Sequence, residues 1–305
     1  MLQSIDYKKT DLTELHSALL DVLKQFIRFC EEYNLQYYAY GGTLLGAIRH
    51  SGFIPWDDDI DIGMKREDYN RLLEIISSDA ENGLNNDKYK FVNAENDPYF
   101  NKGFTRLTNC ETTEISIKDA PFKYNRGCFI DIIPMDYIPD MALRKRIFIF
   151  KCNLFINLIR MCSRYTNRLN LKNWGISKKV LYYFSFPLFV TQIITTSKLH
   201  KNFQRYLTKQ AKSSKLCNST IVPGNSRWMF DEKWFHKTIK VPFEDINICV
   251  PEMYDKVLTN LYGDYMTPVV EAPTHGDTIF EVSIPYKQFL RDHYEELLKL
   301  WENRK

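Results

Sequence analysis

The sequence predicts an α+β fold, a mixed β-sheet flanked by helices, and three observations carry that expectation. Helical and strand periodicities are intermixed up to about residue 138, so neither an all-helical nor an all-strand class fits. The composition then changes abruptly: residues 141–230 contain no Asp or Glu. Two further helical patterns follow, at 250–265 and 286–305. The expected organisation is a core over 1–140, a basic, aromatic-rich helical insertion over 141–230, and a C-terminal helical part over 231–305 that completes the core.

Along the chain, Asp11 followed by Glu14 has the pattern of a capping box. Leu12, Leu15, Leu19, Val22, Leu23, Phe26, Ile27 and Cys30 recur at helical spacing, which predicts an amphipathic helix over about 11–33. "LQYYAY" reads as a short strand stopped by Gly41 and Gly42, and "TLLGAIRH" as a short helix beginning directly after those glycines. "DIDIG" alternates polar and apolar residues, the pattern of a half-buried strand, and "KREDYNRLLEIISS" is the next helix. "YKFVNA", "FTRLTN", "TEISI" and "CFIDIIP" predict further strands. "RKRIFIFKCNLFINLIRMCSR" and "KKVLYYFSFPLFVTQIITTSKLHKNF" are apolar and aromatic with flanking bases. The apolar run at 180–194 includes Ser185, Pro187 and Gln192 and falls short of the roughly 20 mainly apolar residues that cross a bilayer, so no spanning segment is expected.

Hydrophobic residues make up 44% and charged ones 26%, ordinary globular usage that excludes a disordered chain. The first twenty residues mix acids and lysines without an apolar run, so no secretory leader is expected and the protein is placed in the cytoplasm. Seven scattered cysteines without a C-x-x-C pair point to free thiols rather than a disulfide framework or a zinc site. The net charge of +3 conceals an asymmetry. Of 41 Lys and Arg, 17 fall in the acid-free stretch, leaving 24 against all 38 acids elsewhere.

The chemistry concentrates in "GGTLLGAIRHSGFIPWDDDIDIGM", residues 41–64. On a strand, Asp59 and Asp61 would face one way while Ile60 and Ile62 face the core. Two adjacent carboxylates raise each other's pKa, a cost that a divalent metal removes; Mg²⁺ in particular is held by one or two carboxylates plus substrate phosphates. Gly41 and Gly42 permit close backbone approach, and a helix starting near Thr43 would aim unpaired N–H groups at an anion, with Arg49 adding a guanidinium fork. Asp131, set between apolar residues of another strand, would be the third acid. Asp57 and Asp58 read equally well as a solvated turn after Pro55. A calcium-binding loop starting at Asp57 is excluded, because Ile62 stands where that loop needs glycine and Asp68 where it needs glutamate.

These residues resemble the signature of the LicD family of phosphotransferases, which is also similar to the catalytic domains of fukutin and fukutin-related protein. "TRLTNCETTEI", "RGCFIDIIPMD" and "LYGDYM" follow in the family's order, so the resemblance covers about 15–138 and 250–280. It implies a nucleotidyltransferase-like fold in which Gly41, Gly42, Asp59, Asp61 and Asp131 form the metal site. Arg106, where relatives usually carry lysine, would be a phosphate contact. The stretch "PVVEAPTHGD" departs from the family's acid-rich version, so Asp264 and His275 receive no role. The implied reaction is transfer of a phospho-alcohol group, phosphocholine-like, from a CDP-activated donor to a hydroxyl of a cell-surface glycan, with release of CMP. Asp59 and Asp61 would bind Mg²⁺ (Mn²⁺ as the alternative) on the diphosphate. Asp131 would complete the site and accept the hydroxyl proton, and Gly42, Thr43 and Arg49 would hold the phosphates.

The acid-free segment suits a surface that lies peripherally on anionic lipid at the inner face of the membrane, where a lipid-linked acceptor would be built. No nucleic-acid-binding motif accompanies it, so nucleic acid is not expected as a partner. Nucleotidyl transfer, nucleotide-sugar-dependent glycosyl transfer and an inactive membrane-associated scaffold remain as alternatives at this point.

Overall fold

The computed structural model describes residues 12–78, 84, 86–167, 175–268 and 278–303. Helix α1 (Thr13–Glu32) turns Leu15, Leu19, Val22, Leu23, Phe26, Phe29 and Cys30 inward. That is the predicted stripe with Phe29 added, while Leu12 and Ile27 are only partly covered. Leu12 occupies the N-cap without a side-chain hydrogen bond; Asp11, the predicted cap, lies outside the described residues.

Strand β1 (Tyr38–Ala39) leads into α2 (Gly41–His50). The helix was expected to start after the glycines, yet both belong to its first turn. The reason is local: Tyr40 is extended, and Gly41 takes a φ of +53°, a left-handed conformation that turns the chain directly into the helix. Then come β2 (Asp61–Lys65), α3 (Arg66–Ser78), β3 (Tyr89–Val92), β4 (Thr105–Asn109), β5 (Thr113–Ser116) and β6 (Cys128–Tyr137). The strand predicted at 59–63 is displaced by two positions. Asp59 and Ile60 precede it, although the Ile60 carbonyl already accepts from the Asp131 N–H at 2.9 Å.

The acid-free segment folds as α4 (Ala142–Thr166), α5 (Ile176–Val190) and α6 (Thr196–Thr208), then β7 (Lys215–Cys217), and ends in β8 (Met229–Asp231). The hairpin β9 (Thr238–Phe243) and β10 (Ile246–Pro251), α7 (Tyr254–Tyr262), β11 (Thr278–Glu281) and α8 (Tyr286–Glu302) complete the order. Among the described residues no helix is long and apolar enough to cross a membrane.

Seven strands form one mixed sheet with the main path β1-β2-β6-β4-β3. Among the described residues only β2 and β6 run parallel; their neighbours pair antiparallel. Strand β6, at 10 residues, is long enough to pair with β4 through its first half and with β7 at its end, and β8 adds to β7. The segment beyond residue 140 therefore returns two strands to the main sheet. Strand β5 leaves that sheet and pairs instead with β11. The larger hydrophobic core lies between α1 and the sheet; a second, built on Phe148, Cys152, Ile159, Phe203 and Leu207, joins α4 to α6. All seven cysteines are free, five of them buried.

Candidate functional site

The parallel register of β2 on β6 sets Asp61 beside Asp131, and the antiparallel register of β4 sets Arg106 on the other side. In-register neighbours share a face of a sheet, so the three side chains form a row across adjacent strands. Arg106 grips Asp131 with both arms of its fork: Nε donates to Oδ1 at 2.5 Å and Nη2 to Oδ2 at 3.2 Å. Its guanidinium also lies 3.5 Å from the centre of the Phe129 ring. Burial works to lower the Arg106 pKa, but Asp131, Tyr124 and Asp119 together outweigh it and the group is held above its usual range. Asp61 is fixed through its backbone. Its N–H donates to Thr43 Oγ1 at 2.8 Å, and its carbonyl accepts from the Tyr40 N–H at 3.0 Å.

The turn before β2 brings carboxylate oxygens of Asp57, Asp58 and Asp59 within 4.8 Å of one another. Asp58 is buried and accepts from Thr278 Oγ1 at 3.1 Å. This crowding explains the glycines. A Cβ at Gly42 would stand 2.6 Å from Asp57 Oδ2, and one at Gly41 would stand 3.3 Å from Asp61 Oδ2 and 3.4 Å from Trp228. The first turn of α2 therefore meets carboxylates, and its positive dipole end offsets part of their charge.

Above the row opens a cavity of about 330 Å³, within the usual range for small-ligand sites. Its lining interleaves acids with bases: Asp58, Asp59, Asp61 and Glu114 line it, as do Arg106 paired with Asp131, Lys102 paired with Asp119 at 3.3 Å, Lys118, Arg126 and Arg160. Tyr40 and Trp228, their ring centres 5.3 Å apart, add aromatic surface. The Asp61 carboxyl is pushed well above its ordinary pKa by burial first, then by Asp59, Asp131 and Asp57. Glu114 is shifted the same way by burial, which Arg106 opposes and Asp58, Asp59 and Asp131 reinforce. Glu114 Oε2 is buried and has no hydrogen-bond partner. An all-oxygen cluster of mutually repelling carboxylates with one orphaned oxygen fits a hard divalent cation.

The structure thus brings Asp59, Asp61, Asp131 and Arg106 to one cavity, with Gly41 packed against Asp61. Other predicted contacts fall elsewhere. Thr43 is buried, with its hydroxyl engaged by the Asp61 N–H. The space over Gly42 is taken by Asp57. Arg49, at the far end of α2, donates to the Tyr265 carbonyl at 2.9 Å and does not line the cavity. Arg106 spends its fork on Asp131. Asp264 accepts from Thr267 Oγ1, and His275 lies outside the described residues. Glu114, Lys102, Arg160 and Trp228 were not singled out from the sequence. Glu114 carried the one usable signal, an acid inside the strand pattern "TEISI". The other three reach the cavity only through tertiary packing.

The chain also resembles known proteins in sequence. Residues 34–155, which hold the acidic row, match the family described as "LicD/FKTN/FKRP, nucleotidyltransferase domain". The chain is 32% identical over 264 residues to the lipopolysaccharide cholinephosphotransferase LicD of Haemophilus influenzae, covering 85% of this chain and 92% of that protein. It is also 25% identical over 124 residues to the human ribitol 5-phosphate transferase FKRP, covering 41% of this chain and 24% of that protein. With similarity running along nearly the whole of a LicD protein and the matched family domain spanning the acidic row, the chain belongs to the LicD family.

Proposed function

We propose that this protein transfers a phospho-alcohol group, phosphocholine or a relative of it, from a CDP-activated donor to a glycan hydroxyl on a nucleotidyltransferase-like fold. The observation that carries this reading is one cavity lined by both carboxylates and bases, built on the Asp61, Asp131 and Arg106 row. Phosphoryl transfer asks a protein mainly to position donor and acceptor and to offset charge. Asp59, Asp61 and Asp131 would hold a divalent ion, Mg²⁺ or Mn²⁺, whose charge offsets that of the diphosphate. Lys118 and Arg160 line the same cavity and would bind phosphate oxygens, as would Lys102 beside its partner Asp119. Trp228 and Tyr40 supply the aromatic faces that a quaternary ammonium prefers.

In the transfer step the acceptor hydroxyl oxygen bonds to the phosphorus that carries the alcohol. The bond from that phosphorus to the bridging oxygen breaks, and CMP leaves with the bond's electron pair. The hydroxyl proton passes to a carboxylate. Glu114 suits that role better than Asp131, because both Asp131 oxygens already accept from Arg106 while Glu114 Oε2 is unpartnered. The acceptor is a cell-surface glycan on a lipid carrier, reached from the inner face of the membrane. The relatives support the class of group transferred: the Haemophilus protein is a cholinephosphotransferase and the human one a ribitol 5-phosphate transferase.

The test is mass spectrometry of the protein incubated with Mg²⁺, CDP-choline, CDP-ribitol or CDP-glycerol and a panel of glycans, with Asp61→Asn as control. CMP release from one donor, matched by a phospho-alcohol on one acceptor and absent in the control, is the expected result. Pyrophosphate release, or full activity of Asp61→Asn, would overturn the proposal.

A further inference from the structure

Helix α4 has two faces with different fates. Ile156, Ile159 and Arg160 line the cavity, while Leu143, Ile147, Phe150 and Leu154 are exposed at spacings of three and four, a continuous apolar stripe. Helix α5 carries exposed apolar residues of its own. Ile176, Val180, Tyr183 and Phe184 recur at the same spacing, and Phe184 is 82% exposed. The two helices are joined by Tyr165, whose ring centre lies 5.6 Å from that of Phe186 and 6.0 Å from that of Phe189. The stripe on α4 is interleaved with Arg144, Arg146 and Lys151, all exposed. A monomer's surface rarely leaves so many large apolar side chains together uncovered.

We propose that this α4–α5 face docks on an anionic lipid bilayer, lying in its headgroup region. Charge selects that occupant. The segment carrying the face holds 17 Lys and Arg and no acid, whereas every one of the 38 acids lies outside it. A second copy seated by two-fold symmetry would press one basic segment against another. The geometry also favours lying over spanning: at about 1.5 Å per residue, α5 reaches about 22 Å, short of a hydrocarbon core of about 30 Å. Docking this way places the outer face of α4 in lipid while its inner face walls the cavity, so a lipid-borne acceptor is delivered to the chemistry by one helix. The docking itself stands apart from the transfer reading, since it is read without catalysis.

The experiment is co-sedimentation of the full chain with vesicles of phosphatidylcholine alone and of phosphatidylcholine mixed with phosphatidylglycerol, at low and high salt. The double variant Phe150→Ser/Phe184→Ser is run beside the wild type, with circular dichroism to verify its fold and light scattering to measure its mass. Binding to the anionic vesicles, released by salt and weakened about tenfold or more in the folded variant, is expected. Three results would overturn the proposal: no binding to anionic vesicles, equal binding to neutral ones, or a wild-type dimer that the variant turns into a monomer.

Discussion

Strand β6 carries two aspartates five positions apart, each held by an arginine. Asp136 is fully covered and accepts from Arg66 Nε at 2.6 Å, while Arg66 Nη1 donates to Gln204 Oε1 at 2.7 Å. Asp131 accepts from Arg106 at a similar distance, but it borders the cavity and lies beside Asp61. Strand geometry separates the two, because an odd number of positions places side chains on opposite faces. Phe129, Asp131 and Ile133 line the cavity accordingly, and Asp136 does not. The same kind of ion pair is therefore an internal tie on one face of β6 and part of the cavity lining on the other.

Replacing each acid in turn tests the contrast. Asp131→Asn is expected to lower CMP release by on the order of 10²–10³-fold, the scale of removing one preorganised charge from a transfer site. It should lower the urea midpoint less than Asp136→Asn does, since Asp131 borders the cavity while Asp136 is fully covered, and Arg106 keeps its stacking on Phe129. Asp136→Asn leaves Arg66 buried against a neutral partner and should cost about 3–5 kcal/mol in urea denaturation, with activity per folded molecule retained. Equal destabilisation by the two variants would dissolve the distinction.

The smallest effect expected is one of pH. The folded state raises the Asp61 pKa through burial and then through Asp59, Asp131 and Asp57, so it binds that proton more tightly than the unfolded chain does. Metal-free stability should therefore fall as pH rises from about 4, the unfolded value, through the raised one. Melting curves in EDTA read this as a downward slope that is shallower in Asp61→Asn, and added Mg²⁺ should lift the wild type most at the upper end. Identical slopes for the two proteins would mean that Asp61 is not strained by its neighbours.

Much of this architecture was legible in local pattern. The stripe on α1, the alternation leading into β2 and the isolated Asp131 in an apolar strand each follow from periodicity, and together they placed the acids on a sheet. Contacts set by distant partners were not legible. Gly42 reads as room for a phosphate until Asp57 is seen filling it, and Arg49 reads as a phosphate clamp until Tyr265 is found bonded to it. Asp131 and Asp136 look alike in "FIDIIPMDY"; what separates them is which face α3 and α6 cover, a fact that spacing alone does not contain.

The pairing of β5 with β11 has a consequence for the order in which the protein comes into being. Glu114 lies opposite Phe280 in that pair, and Thr278 bonds Asp58 across 220 positions of sequence. At roughly 5–20 residues per second, a ribosome needs about 10–40 s to travel from one of those partners to the other. Throughout that interval the acidic turn exists without the strand that secures Asp58 and pairs with β5. A nascent chain can thus carry every carboxylate of the site and still lack its enclosure, which is completed only late in translation.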